Sequence, residues 1–187
     1  MKKSKFFIVL ALAAVLCFAS IVPAFAQFTT NEHGAIMAPD ELTITKTLRL
    51  PIGTITPTAT FNFLAERVTV DGNPGTTANM PSLNNLTVSF SPPDVDQNAP
   101  DANNIMTITK PTGNIFAGVT FPHAGIFVYE ITEIPNTNPS IDDPDNIHEW
   151  LNYSGAKYTL TVYVANNAAG TFISAVGIVV NIVDNAG

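Results

Sequence analysis

Ile126-Phe-Val-Tyr-Glu-Ile-Thr-Glu133-Ile134 is the stretch that decides the fold. Apolar and polar residues alternate along it with the period of a half-buried strand, so Phe127, Tyr129, Ile131 and Glu133 share one face. Glu41-Leu-Thr-Ile-Thr-Lys46-Thr-Leu48 has the same period and sets Lys46 among Leu42, Ile44 and Leu48. Each stretch thus places one charge on an otherwise apolar face. If both faces turn inward, a lysine and a glutamate lie in one core, where an unpaired charge is expensive.

Working outward, the same reading predicts strands over Leu42–Leu50, Ala59–Val70, Leu86–Phe90, Ile105–Thr109, Gly125–Ile134, Lys157–Ala165 and Thr171–Val183. Phe61 and Phe63 share a face, as do Tyr158, Leu160, Val162 and Val164. Ile115–Phe121 has no clear period. Asp71-Gly-Asn-Pro-Gly75 and Asn166-Asn-Ala-Ala-Gly170 are turn sequences. Ser91–Asn104 and Asn136–Asn152 are polar loops rich in Pro, Asp and Asn. Short strands between turn signals, with no helical period, predict an all-β, immunoglobulin-like sandwich over residues 41–187.

The first 26 residues read as a signal peptide. Lys2, Lys3 and Lys5 precede an apolar run from Phe6 to Val22, and Ala24-Phe-Ala26 is a cleavage site. An uncleaved membrane anchor is the alternative. Cys17 lies within the run, and Leu16 before it is too large for a lipidation site. Residues 27–40 form a polar lead-in. The exported part contains no cysteine and so no disulfide. Three of the eight basic residues fall in the leader, so five stand against 15 acids, a formal charge of −10. That balance argues against nucleic acid or an anionic membrane as partner.

Other chemistries fail on spacing. Asp94, Asp96 and Asn98 are set like calcium ligands, but Ala99 and Ile105 stand where the loop needs Gly and Glu. Asp142, Asp143 and Asp145 read as a solvated acidic loop. His33, His123 and His148 fall in three separate loops, His148-Glu149 lacks a second histidine, and no GxSxG elbow exists. A secreted hydrolase is therefore poorly supported. Leu50-Pro-Ile-Gly53 lacks the threonine of a sortase signal and reads as a strand-to-turn sequence.

Alternation alone leaves two readings of Lys46 and Glu133. Either one or both lie at a sheet rim, with the lysine stem covering apolar surface, or they are reactive. A dry core disfavours the ammonium, and the neutral amine is a nucleophile. A glutamate beside it can polarise an amide carbonyl and shuttle protons. An asparagine between them would lose ammonia and become joined to the lysine. Such a bond, closing a loop of more than about 100 residues, would restrict the unfolded chain by about 5 kcal/mol.

Four stretches resemble the streptococcal pilin isopeptide-linkage domain, the FctA or T-antigen type of Gram-positive backbone pilin. Thr43-Ile-Thr-Lys46-Thr-Leu48 resembles its first strand with the bonding lysine. Phe61-Asn-Phe-Leu64 resembles its F-x-F-x-L strand. Ala124-Gly-Ile-Phe-Val-Tyr-Glu-Ile-Thr-Glu133 resembles the segment whose last glutamate is catalytic. Tyr153-Ser154 through Tyr158-Thr-Leu-Thr-Val-Tyr-Val164 resembles the Y-D-x-x-x-Y-T-V-x-V strand, with Ser154 in place of the usual aspartate. The resemblance covers about residues 41–187.

The resemblance implies a pilin-type sandwich and a secreted cell-wall or pilus subunit. It implies no cofactor and no turnover enzyme, only a single self-directed cross-link with Lys46 as nucleophile and Glu133 as proton shuttle. Glu130, the rival acid, lies on the opposite strand face. In the family a last strand with an F-x-N pattern supplies the asparagine, and a sortase signal follows. This chain stops before both, so the bonding asparagine is expected outside it, either through truncation or on a strand from another chain. Asn181 is the substitute within it. Lys110 and Lys157, read as exposed strand-end residues, are the candidates for intermolecular linkage. Partners implied are other pilin or surface subunits, linked by sortase. The other class left open is a secreted adhesin, binding glycan or protein through its long loops, with Trp150 as the one aromatic candidate.

Overall fold

A computed structural model of the chain describes residues 41–96, 100–138 and 151–183. The signal peptide, the lead-in, His33, Asn98, the Asp142–Asp145 cluster, His148 and Trp150 lie outside the described residues. All regular structure among the described residues is strand. The strands are β1 (Thr45–Pro51), β2 (Ala59–Val70), β3 (Asn73–Pro74), β4 (Thr87–Phe90), β5 (Ile105–Pro111), β6 (Gly125–Asn138), β7 (Lys157–Asn167) and β8 (Gly170–Ile182).

They form two antiparallel layers. The larger sheet runs β3-β2-β6-β7-β8, with β4 also on β2, and the smaller is the ribbon β1-β5. Asp71 and Gly72 have φ of 50° and 78° and make the tight turn between β2 and β3. That is the left-handed geometry an Asp-Gly hairpin favours. The Asp71 carboxylate then accepts the amide of Ile126, the second residue of β6, at 2.8 Å. A Cβ on Gly125 would lie 2.5 Å from that carboxylate, so a larger residue there would push the Asp71 side chain aside.

The alternation seen in the sequence is the burial pattern in space. Phe127, Tyr129, Ile131, Leu160, Val162 and Val164 face inward and join Val176, Ile115 and Phe121 in one apolar cluster. A second cluster, built on Phe61, Phe90, Val88, Leu48, Leu50 and Ile108, joins the ribbon to the β2–β4 side of the sheet. Burial at the first cluster pushes the Tyr129 phenol above its ordinary value, and its hydroxyl donates to the Pro81 carbonyl at 3.0 Å.

Ile115–Phe121 is a turn that buries Ile115, Phe116 and Phe121, not a strand. Asn114 organises it by accepting the amides of Leu42 at 3.2 Å and Phe116 at 2.9 Å. β1 ends at Pro51, and Gly53 turns with φ of 84°, the strand-to-turn junction read from Leu50-Pro-Ile-Gly53.

Candidate functional site

Lys46 and Glu133 meet. Lys46 Nζ lies 2.7 Å from Glu133 Oε1 and 2.9 Å from Oε2, with side chains 10% and 2% exposed. Register explains the meeting. Lys46 is the inward residue between Ile44, which packs on the first cluster, and Leu48, which belongs to the second. Glu133 is the next inward residue of β6 after Ile131. The pair therefore sits at the joint between the two apolar clusters, not at a solvated rim.

Two further contacts hold it. The Lys46 ammonium lies 4.7 Å from the centre of the Phe61 ring, a distance at which ring and cation attract. The Ser154 amide donates to Glu133 Oε2 at 2.9 Å. This contact comes from the Ser154 backbone, while the Ser154 hydroxyl accepts the Ala156 amide at 3.2 Å. Glu133 Oε1 receives no further hydrogen bond beyond its approach to Lys46.

The pair borders a cavity of about 310 Å³. Six consecutive residues of one segment, Leu42 to Thr47, line one side of it. Leu42, Thr43 and Ile44 precede β1, and Thr45, Lys46 and Thr47 open it; successive strand residues face opposite ways, so these three line the cavity along the strand's edge. That edge of β1 faces away from β5 and has no strand partner among the described residues. Ile131, Ala156, Leu160 and Ile178 form the apolar wall opposite, and no asparagine among the described residues lines the space. The site is thus an apolar groove along an open strand edge, with an amine and a carboxylate in its wall.

The other sequence-predicted residues lie elsewhere. Asn181 is exposed on the outer sheet face beside Val179, and its side chain donates to Thr159 Oγ1 at 2.7 Å. Glu130 also faces outward and pairs with Lys157 at 3.2 Å. His123 stacks near Phe127 and faces Asp71 at 3.8 Å. Asp94 binds Lys110, and Asp96 accepts the Thr107 amide at 2.6 Å, so both carboxylates are engaged by the protein.

Lys110 corrects its reading as an exposed strand-end residue. It is half-buried on the inward face of β5, 2.9 Å from Asp94. The signal was in the sequence: Thr43-Ile-Thr-Lys46 recurs as Thr107-Ile-Thr-Lys110.

No curated protein sequence matches the chain. Among solved structures, the fold is similar to the major pilin protein from Streptococcus pyogenes, at 19% identity and a TM-score of 0.49, over 81% of this chain and 51% of that one. It is also similar to a point mutant of the major pilin from the same organism, at 21% identity and a TM-score of 0.42, over 77% of this chain and 48% of that one. The chain thus spans about half the length of these pilins. The family model described as the Spy0128-like isopeptide containing domain matches residues 42–180, and the chain belongs to that family, FctA.

Proposed function

We propose that this chain is a structural subunit of a cell-surface pilus, stabilised by a single self-catalysed cross-link at Lys46 rather than by turnover chemistry. The observation that carries the reading is the buried Lys46–Glu133 pair in the wall of a groove along the open β1 edge. Family membership supports both the structural role and the type of bond.

In this reading an extended segment bearing an asparagine, from outside the described residues, lies along β1. One proton passes from the Lys46 ammonium to Glu133, leaving a neutral amine. The amine attacks the asparagine side-chain carbonyl carbon while the Glu133 carboxyl donates to its oxygen. The C–N bond to Lys46 forms, Glu133 passes its proton to the asparagine side-chain nitrogen, the bond to that nitrogen breaks and ammonia leaves, and Glu133 takes up the second proton from the Lys46 nitrogen. No electron acceptor is needed. The low exposure of the two side chains, 10% and 2%, strengthens these hydrogen bonds.

The test mixes the purified protein with a synthetic strand peptide carrying F-x-N. The expected product survives boiling in detergent, is lighter than the sum of its parts by one ammonia, and fails to form with Lys46→Ala. Any protein population already lighter by one ammonia before mixing carries an internal bond and is analysed separately by peptide mapping. Failure of the open population to form an adduct, or equal yield with Lys46→Ala, would sink the cross-linking reading.

A further inference from the structure

The inward face of the β1–β5 ribbon carries two lysines. Lys46 and Lys110 are direct partners in the antiparallel register, so their side chains leave the same face about 5 Å apart at their origins. Each approaches a phenylalanine, Lys46 at 4.7 Å from the Phe61 centre and Lys110 at 5.5 Å from that of Phe90. The two rings pack edge to face at 5.7 Å. Each ammonium also has its own carboxylate, Glu133 for Lys46 and Asp94 for Lys110.

Nothing in amine chemistry prefers one of these lysines over the other. A lysine stem is long enough to cross the spacing between opposed strand positions, so Lys110 could compete for Glu133. Asp94 draws it the other way. Lys110 Nζ donates to both Asp94 oxygens at 2.9 Å. Asp94 is itself fixed, accepting the Ser91 amide at 2.8 Å and the Ser91 hydroxyl at 3.1 Å. The hydrogen bond from Lys110, followed by those from Ser91, holds the Asp94 carboxyl below its ordinary value despite some desolvation. The result is unequal exposure: the Lys110 side chain is 36% exposed and that of Lys46 10%.

We propose that Asp94 is a positioning residue that decides which of two opposed lysines is used: by holding Lys110 at the rim, it leaves Glu133 to Lys46 alone. The proposal rests on the cross-linking reading of the site, and two measurements separate their fates.

The first needs no cross-link. Trace acylation of all lysines with acetic anhydride, read by peptide mass spectrometry, reports whether Lys110 engages Glu133. In Asp94→Ala, Lys110 moves to share Glu133, so adding Glu133→Gln raises Lys110 acylation severalfold. In the Asp94-containing protein the same Glu133→Gln change leaves Lys110 acylation unaltered, and Asp94→Glu behaves as the parent. Asp94→Ser replaces the alanine variant if the latter does not fold. Equal Lys110 acylation in the Asp94 variant with and without Glu133→Gln overturns the proposal.

The second adds the F-x-N strand peptide. Asp94→Ala should give adducts at both Lys46 and Lys110, and the parent protein only at Lys46. Adduct at Lys46 alone in both proteins overturns the proposal and leaves the cross-linking reading standing. No adduct from either protein overturns the cross-linking reading, and the acylation comparison then decides the proposal.

Discussion

Replacing Lys46 by methionine should be among the most damaging single changes in this domain, and replacing its partner as well should undo most of the damage. Lys46→Met keeps the apolar stem but removes the charge facing Glu133, whose side chain is 2% exposed. Only the Ser154 amide, at 2.9 Å, remains to satisfy the carboxylate. Breaking a pair buried to this degree costs about 3–5 kcal/mol, including an attraction to Phe61 that contributes about 1 kcal/mol. For a domain of this size the melting temperature falls by on the order of 10 °C. Lys46→Met with Glu133→Met removes both charges. Exchanging a buried pair for packed apolar groups is neutral or gains about 1–4 kcal/mol. The Ser154 amide loses its acceptor, an opposing cost of about 1–3 kcal/mol. The double variant should therefore lie within about 3 kcal/mol of the parent. The assay is urea denaturation followed by circular dichroism, on protein whose intact mass shows no lost ammonia. A Lys46→Met cost below about 1 kcal/mol would place the pair with surface ion pairs and refute the reasoning. So would a double variant as unstable as the sum of the two single ones.

Three further outcomes are expected. Tyr129→Phe removes the hydroxyl that donates to the Pro81 carbonyl and should cost about 1 kcal/mol, read in the same denaturation; no loss would mean that water replaces it. Ser154→Ala removes the hydroxyl that accepts the Ala156 amide at 3.2 Å and should cost about 1 kcal/mol, whereas Ser154→Pro also deletes the amide bound to Glu133 and should cost about 2 kcal/mol. Asp94 should titrate by NMR below 3.8, since Lys110 and Ser91 hold its carboxylate. A depressed carboxylate contributes stability above its unfolded-state value and loses it as pH falls through the folded one. Lys110→Met should raise that midpoint. Asp101, lowered mainly by the Ile105 and Asn103 amides, should barely respond to Arg49→Ala.

The strands with an unbroken period of two were legible because each buries a single face. The inward faces of β6 and β7 are those that alternation assigned, and Lys46 and Glu133 point inward for the same reason. Ile115–Phe121 was not legible as a turn. Its shape depends on the Asn114 side chain, which caps the local Phe116 amide and the distant Leu42 amide, contacts that leave no local period. The part played by Ser154 was hidden because the donor is a backbone N–H, which every residue except proline supplies. Lys110 was misjudged by its place near a strand end, although Met106, Ile108 and Lys110 alternate as Leu42, Ile44 and Lys46 do. The groove is a property of pairing: only the register of β1 on β5 reveals which of its edges is left open.

The position of the ion pair between two apolar clusters bears on how the domain comes apart. One cluster centres on Phe127 and Leu160, the other on Phe61 and Phe90, and Lys46 and Glu133 bridge them. Cooperative unfolding requires that neither half open without exposing something costly in the other. Here the costly thing is a charge: if β1 lifts from the second cluster, it takes the ammonium away and strands the carboxylate in the first. The pair thus fuses two modest cores into one unfolding unit. Without it, the amides of β1, β4 and β5 should exchange with deuterium through a partial opening, while those of β6 and β7 wait for global unfolding.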